Sequence, residues 1–89
     1  MTDLPQYLYM ELADRIAAEI KAGSPPVGGR LPGEREMTEI YSVSIGTVRR
    51  AVQELRDRGL VATLPIKGTY VIRAEPPATT DQDDDASRG

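Results

Sequence analysis

The sequence predicts a mainly α domain with a small β-hairpin: a winged helix-turn-helix of three helices plus a wing. Three observations predict it. Helical patterns fill three stretches before Gly59, and the period changes from 3.6 to 2 after it. Only the short interruption Val43-Ser44 separates the second helical stretch from the third, which leaves room for a tight turn and no more.

The first helix starts at or near Pro5, a residue suited to a helix start. Leu8, Leu12, Ile16 and Ile20 then recur every four residues, with Ala13 and Ala17 beside them. Gly23 is a natural stop. Glu11, Asp14, Arg15, Glu19 and Lys21 cover the outer side, a scaffold helix under the core. Ser24–Pro32 is a loop broken by Pro25, Pro26, Gly28 and Gly29, in which Arg30-Leu31 can form a very short strand against the C-terminal hairpin.

The second helix is expected over Gly33–Tyr41, with Gly33 as a weak N-cap and Glu36 favourable at the positive helix end. The third is expected over Ser44–Arg58. Ser44 is its N-cap, with a hydroxyl able to accept the backbone N–H near Thr47. Val48, Ala51, Val52 and Leu55 form its buried stripe. Leu60–Leu64 and Thr69–Arg73 read as two strands joined by Pro65-Ile66-Lys67-Gly68, a hairpin that must pack on the helices to be stable.

At 89 residues the chain is one small domain at most. It has no cysteine and no histidine, so thiolate metal sites and the commonest general base are excluded. No nucleophile has a base beside it and no phosphate-cradling Gly loop is present, so an enzyme is not expected, and neither a cofactor nor a metal is assigned. No apolar run approaches a membrane span and the N-terminus lacks a signal-peptide pattern, which leaves a cytoplasmic protein as the default.

The net charge is −3, but it is unevenly spread. Residues 1–73, the expected folded domain, carry ten Lys/Arg against nine Asp/Glu, a net of +1. Residues 74–89 carry one Arg against five acids, a net of −4, and read as an acidic disordered tail. Such a tail usually solvates; the sharper reading is that it competes with DNA for the basic face. A near-neutral body binds nucleic acid if its cations share one face.

Around the third helix the non-core positions are Thr47, Arg49, Arg50, Gln53 and Arg56. An apolar back with an Arg/Thr/Gln front suits the major groove of DNA, although most charged helix faces are only solvated. The reading requires Thr47, Arg49 and Gln53 to project outward together, on the same side as Lys67 of the wing; a buried Thr47 or Arg49 would require abandoning it.

At this point the residues resemble a known family. Leu31-Pro32-Gly33-Glu34-Arg35-Glu36-Met37, then Val43-Ser44-Ile45-Gly46-Thr47-Val48-Arg49-Arg50-Ala51, then Leu55 through Val61, then Lys67-Gly68-Thr69-Tyr70-Val71 resemble the winged-helix DNA-binding domain of the GntR family of bacterial transcription regulators. The resemblance covers about Tyr7–Ile72 and is closest to the branch with HutC-like DNA-binding domains. It implies a sequence-specific regulator, a repressor, with double-stranded DNA as its partner. Helix 44–58 would enter the major groove, and wing 65–68 would lie on the minor groove or backbone. Arg35 would contact phosphate or guanine, Arg49 a guanine edge, and Ser44 and Thr47 phosphates. Ile45, Gly46, Arg50 and Gln53 complete the reading face, with Lys67 and Gly68 at the wing tip.

Four positions depart from the family pattern. The family usually has Ser at position 33, Arg at 45, Thr at 46 and Gly at 66, where this chain has Gly33, Ile45, Gly46 and Ile66. Ile45 is open to two readings, contact with a thymine methyl or cover for the core edge. Relatives also carry an effector-binding domain, and the chain ends soon after the wing, so effector sensing is not carried over. A weak homodimer, or pairing only on DNA, is expected. The alternative function is a winged-helix protein-interaction module with weak or no DNA binding, motivated by Ile45 and Ile66 as an apolar patch.

Overall fold

The computed structural model describes residues 4–77. Helix α1 spans Leu4–Lys21, α2 spans Glu34–Tyr41 and α3 spans Ile45–Asp57. Strands β1 (Val61–Leu64) and β2 (Gly68–Val71) pair antiparallel with Val61 opposite Val71 and Leu64 opposite Gly68. Helix α3 is the centre: α1, α2 and β1 all pack on it. The predicted three helices plus wing are found in that order.

The core follows the sequence stripes. Val48, Ala51, Val52 and Leu55 of α3 meet Leu12, Ala13, Ile16 and Ile20 of α1, Met37 of α2, and Leu31, Leu60, Val61 and Val71 from the loop and hairpin. Each large apolar side chain fully buried here contributes about 1.5–3 kcal/mol. Leu8 departs from the expected stripe and is 43% exposed. A spacing of four residues advances 400° around a helix, so each step drifts by about 40°. Three steps from Ile20 carry Leu8 off the buried face, and Tyr9 packs against the core instead.

The turn between α2 and α3 is tight because of two serines. Ser42 caps α2 in the left-handed region (φ 57°), its N–H donating to the Thr38 carbonyl. Ser44 then caps α3, its Oγ accepting the Thr47 N–H at 3.1 Å, as its residue type predicts. At the start of α2, Gly33 has no side chain to offer. Glu36 answers from three residues on, its Oε1 accepting the Gly33 N–H at 3.1 Å.

The expected short strand is a single bridge, Arg30 opposite Tyr70. The Leu31 N–H donates to the Thr69 carbonyl and the Val71 N–H to the Gly29 carbonyl, each at 2.8 Å, so the loop covers the outer edge of β2. The wing tip is a turn in which the Lys67 N–H donates to the Leu64 carbonyl at 3.1 Å. Pro65 occupies its second position and Ile66, at φ +70°, its third, the pattern of a type II turn. That turn favours glycine at the third position, which is the departure noted at position 66. A β-branched residue there holds strain of order 1–3 kcal/mol.

After β2 the chain turns back. The Arg73 guanidinium donates to the Gly59 carbonyl at 3.0 Å, and Glu75 lies 3.8 Å from Lys21 Nζ. The acidic stretch from Ala78 onward, where most of the expected tail falls, lies outside the described residues.

Candidate nucleic-acid interface

Between α2 and the N-terminal end of α3 lies an open groove of about 490 Å³. It is lined by Glu34, Arg35 and Thr38 from α2 and by Val43, Ser44, Ile45 and Arg49 from the turn and α3. Four of the sequence-predicted residues, Arg35, Ser44, Ile45 and Arg49, therefore meet around one concavity. The second α2–wing groove, of about 300 Å³, has Glu34 in common with the first and reaches Thr63, Ile66 and Gly68. A bond from Arg56 Nη1 to Thr63 Oγ1 at 2.8 Å ties α3 to the wing. The wing thus stands beside α3 on the flank that carries Arg49 and Arg56.

Arg49 is 64% exposed, and its Nε donates to Glu34 Oε1 at 3.0 Å. An exposed pair of this kind contributes about 0–1 kcal/mol, so it orients the guanidinium without locking it. Arg35 is exposed and makes no ion pair among the described residues. Gln53 is exposed, donates to Asp57 at 3.1 Å and accepts from Arg56 at 2.6 Å, a chain of polar groups along the outer face. Lys67 is exposed at the wing tip and makes no ion pair among the described residues. Gly68 lies under the Arg30 side chain, with Arg30 Nε 3.0 Å from where a Cβ would stand, and its φ of +122° is a backbone conformation that favours glycine.

Two expectations need correction. Thr47 is only 7% exposed and does not project outward. Two residues along a helix are 200° apart, so Thr47 and Arg49 face nearly opposite ways, and Thr47 shares a side with Ala51. Its hydroxyl accepts from Ser44 Oγ at 3.1 Å, so it holds the cap in place. The requirement that Thr47 face the partner fails, so the reading face as first drawn is abandoned, and Arg49 and Gln53 are what remain of it on the outer side. Arg50 is exposed but turns toward α1, its guanidinium stacking 4.3 Å from the Tyr9 ring centroid. It lies on the α1 flank, away from the groove that holds Arg49.

Ile45 lines the α2–α3 groove and Ile66 the adjoining α2–wing groove. Glu34 was missed as a site residue. Its role depends on a partner fifteen residues away, and no local pattern announces it. On the far side of α2, Tyr41 donates to Glu19 at 2.7 Å while Arg15 sits 4.9 Å over its ring. Burial, then the bond and the negative charge of Glu19, push the Tyr41 phenol up to about 12.

No helix among the described residues is long and apolar enough to cross a membrane, and no group of three His, Cys, Asp or Glu among them is placed to hold a metal.

Comparison with known proteins agrees with this geometry. Residues 8–71 match the family described as bacterial regulatory proteins, gntR family. The chain is 40% identical over 65 residues to the uncharacterized HTH-type transcriptional regulator YcxD of Bacillus subtilis, covering 73% of this chain and 15% of that protein. It is 36% identical over 64 residues to the mannosyl-D-glycerate transport/metabolism system repressor MngR of Escherichia coli, covering 72% of this chain and 27% of MngR. The chain thus spans about a quarter or less of these two relatives. The crystal structure of AraR(DBD) in complex with operator ORR3 superposes with a TM-score of 0.68 at 28% identity, over 72% of this chain and 77% of that one. With the family pattern running from α1 to the end of the wing, the chain belongs to the gntR family of bacterial regulatory proteins.

Proposed function

We propose that the chain binds double-stranded DNA sequence-specifically and regulates transcription. Helix α3 enters the major groove and the wing lies on the adjacent minor groove or backbone. The observation that carries this is the convergence of Arg35, Ser44, Ile45 and Arg49 on one open groove at the start of α3, beside a wing that presents Lys67. The similarity to AraR(DBD), crystallised with its operator, supports it.

Arg49 leaves Glu34 for a guanine edge, where its planar fork meets O6 and N7 together. Arg35 and Lys67 meet phosphates, as do Ser44 and the N–H groups of the first turn of α3. Gln53 extends the reading along the groove. Gly68 shapes the wing tip, and Arg50 supports α3 from behind. One winged helix covers one half-site, so two copies pair on sites about one helical turn apart, weakly or only on DNA. The reading places the protein in the cytoplasm, in the HutC-like branch and without enzymatic activity. MngR is named a repressor, and repression is the mode proposed here.

Electrophoretic retardation of duplexes selected from a random pool, measured across a salt series, tests the proposal. Retardation that weakens steeply with salt is expected. Lys67→Ala should weaken binding about equally on all duplexes and lower the salt slope by roughly 1. No retardation at any salt would favour a protein-interaction module instead.

A further inference from the structure

We propose that Ile45 is a specificity-determining residue that reads a thymine C5-methyl group in the major groove, and that Gly46 lets the helix approach closely enough for the contact. The inference rests on the DNA-binding reading above and deepens it.

Ile45 is the first residue of α3 and lines the same groove as Arg35 and Arg49. A cation here would select guanine or phosphate. An isoleucine has no donor or acceptor, and the one apolar feature that a base pair shows in the major groove is the thymine methyl. Ile45 is half-buried but lies outside the core cluster. Val43, two residues before it, packs against the core, but Ile45 is neither a core residue nor among those packed on the core. Of the two readings left open by sequence, cover for the core edge accounts for only part of the side chain, and the rest faces the groove.

Gly46 has no structural explanation. A Cβ added to it would meet nothing closer than Ser44 Oγ at 3.9 Å, and its backbone is not in the positive-φ region. A glycine in a helix is nonetheless less favourable than alanine. Gly46 lies next to Ile45 and near the middle of the exposed side of α3, opposite the stripe of Val48, Ala51 and Leu55. A bare backbone at that point serves close approach by something outside the chain. The two residues thus make one unit: a short apolar reader and a gap beside it that lets the reader reach the groove floor.

The test changes the DNA before it changes the protein, so folding is not at issue. In the preferred duplex each thymine is replaced in turn by deoxyuridine, which removes only the methyl group. With the unaltered chain, one position per half-site should lose roughly fourfold in affinity, the value of one buried methyl. In Ile45→Ala that position should become indifferent to the methyl while the other positions keep their behaviour. Gly46→Ala should raise the melting temperature yet weaken binding to the preferred duplex. If binding is tight and no thymine methyl matters, or if the methyl effect survives Ile45→Ala, the inference is overturned and the DNA-binding reading stands. If no duplex is retarded at all, both fall. A Gly46→Ala variant that binds as well as the parent removes the role given to Gly46.

Discussion

Helix α3 has two flanks, and they use arginine in opposite ways. On the α1 flank Arg58 is 24% exposed; it donates to Glu54 at 2.9 Å and to Asp14 at 2.8 Å. Arg50 lies over Tyr9. Each of these guanidinium groups is placed against another part of the chain. On the α2 and wing flank, Arg49 has a single exposed carboxylate, and Arg35 and Lys67 have no ion-pair partner among the described residues. One flank joins helices; on the other Arg56 ties α3 to the wing, while Arg49, Arg35 and Lys67 are ready for exchange. Formal charge does not separate them, because both carry arginines. What separates Arg58 from Arg49 is a mostly buried guanidinium shared by two carboxylates against an exposed one with a single carboxylate.

This contrast can be broken by substitution. Arg49→Ala should lower affinity for the preferred site by about 1–3 kcal/mol and relax one base position, with stability changed by less than about 0.5 kcal/mol. Urea denaturation beside binding isotherms would measure both, and a large stability loss would erase the distinction. Arg58→Ala should do the reverse. About 1–2 kcal/mol of stability should be lost, because Glu54 and Asp14 lose their shared partner, while base preference is retained.

The wing offers a sharper comparison, since strain and contact predict opposite signs. Ile66→Gly should raise stability by about 1 kcal/mol, because glycine adopts φ +70° without the Cβ clash. Ile66 is 104% exposed, so little apolar burial offsets that gain. A lower melting temperature for Ile66→Gly would mean that the turn geometry is wrong.

The smallest effect concerns the α1–α2 contact. The Tyr41 phenol has its folded pKa raised from 10.0 to about 12. Below pH 10 it is protonated in both folded and unfolded chains, and its contribution is fully present. Between pH 10 and 12 the unfolded chain gives up the proton and the folded chain keeps it, so stability falls as pH rises. Tyr41→Phe should flatten the fall in a melting-temperature series over that window, whereas an unchanged profile would deny the Glu19 bond its role.

Much of the fold was legible because it is local. Ser44 caps α3 through a residue three positions away, and the α3 stripe repeats within two turns, so sequence separation is short and the pattern is complete. The hairpin and its bridge to Arg30 were legible from the change of period. The candidate site was less so. Thr47 was misplaced through grouping every non-core residue of α3 into one face, although residues two apart cannot share a side. Leu8 was misplaced because a strict spacing of four drifts around a helix.

The sequence by itself determined three helices, a two-stranded wing, the Ser44 cap at the turn, and membership of a family of regulators. Each depends on backbone geometry set by neighbours a few residues away. Only the tertiary structure decided which arginines are occupied. Arg49 meets Glu34, Arg50 meets Tyr9 and Arg58 meets Asp14 across separate helices, and those pairings exist only once α1 and α2 have closed on α3. Periodicity locates a side chain around one helix, but what that side chain touches depends on the crossing of two.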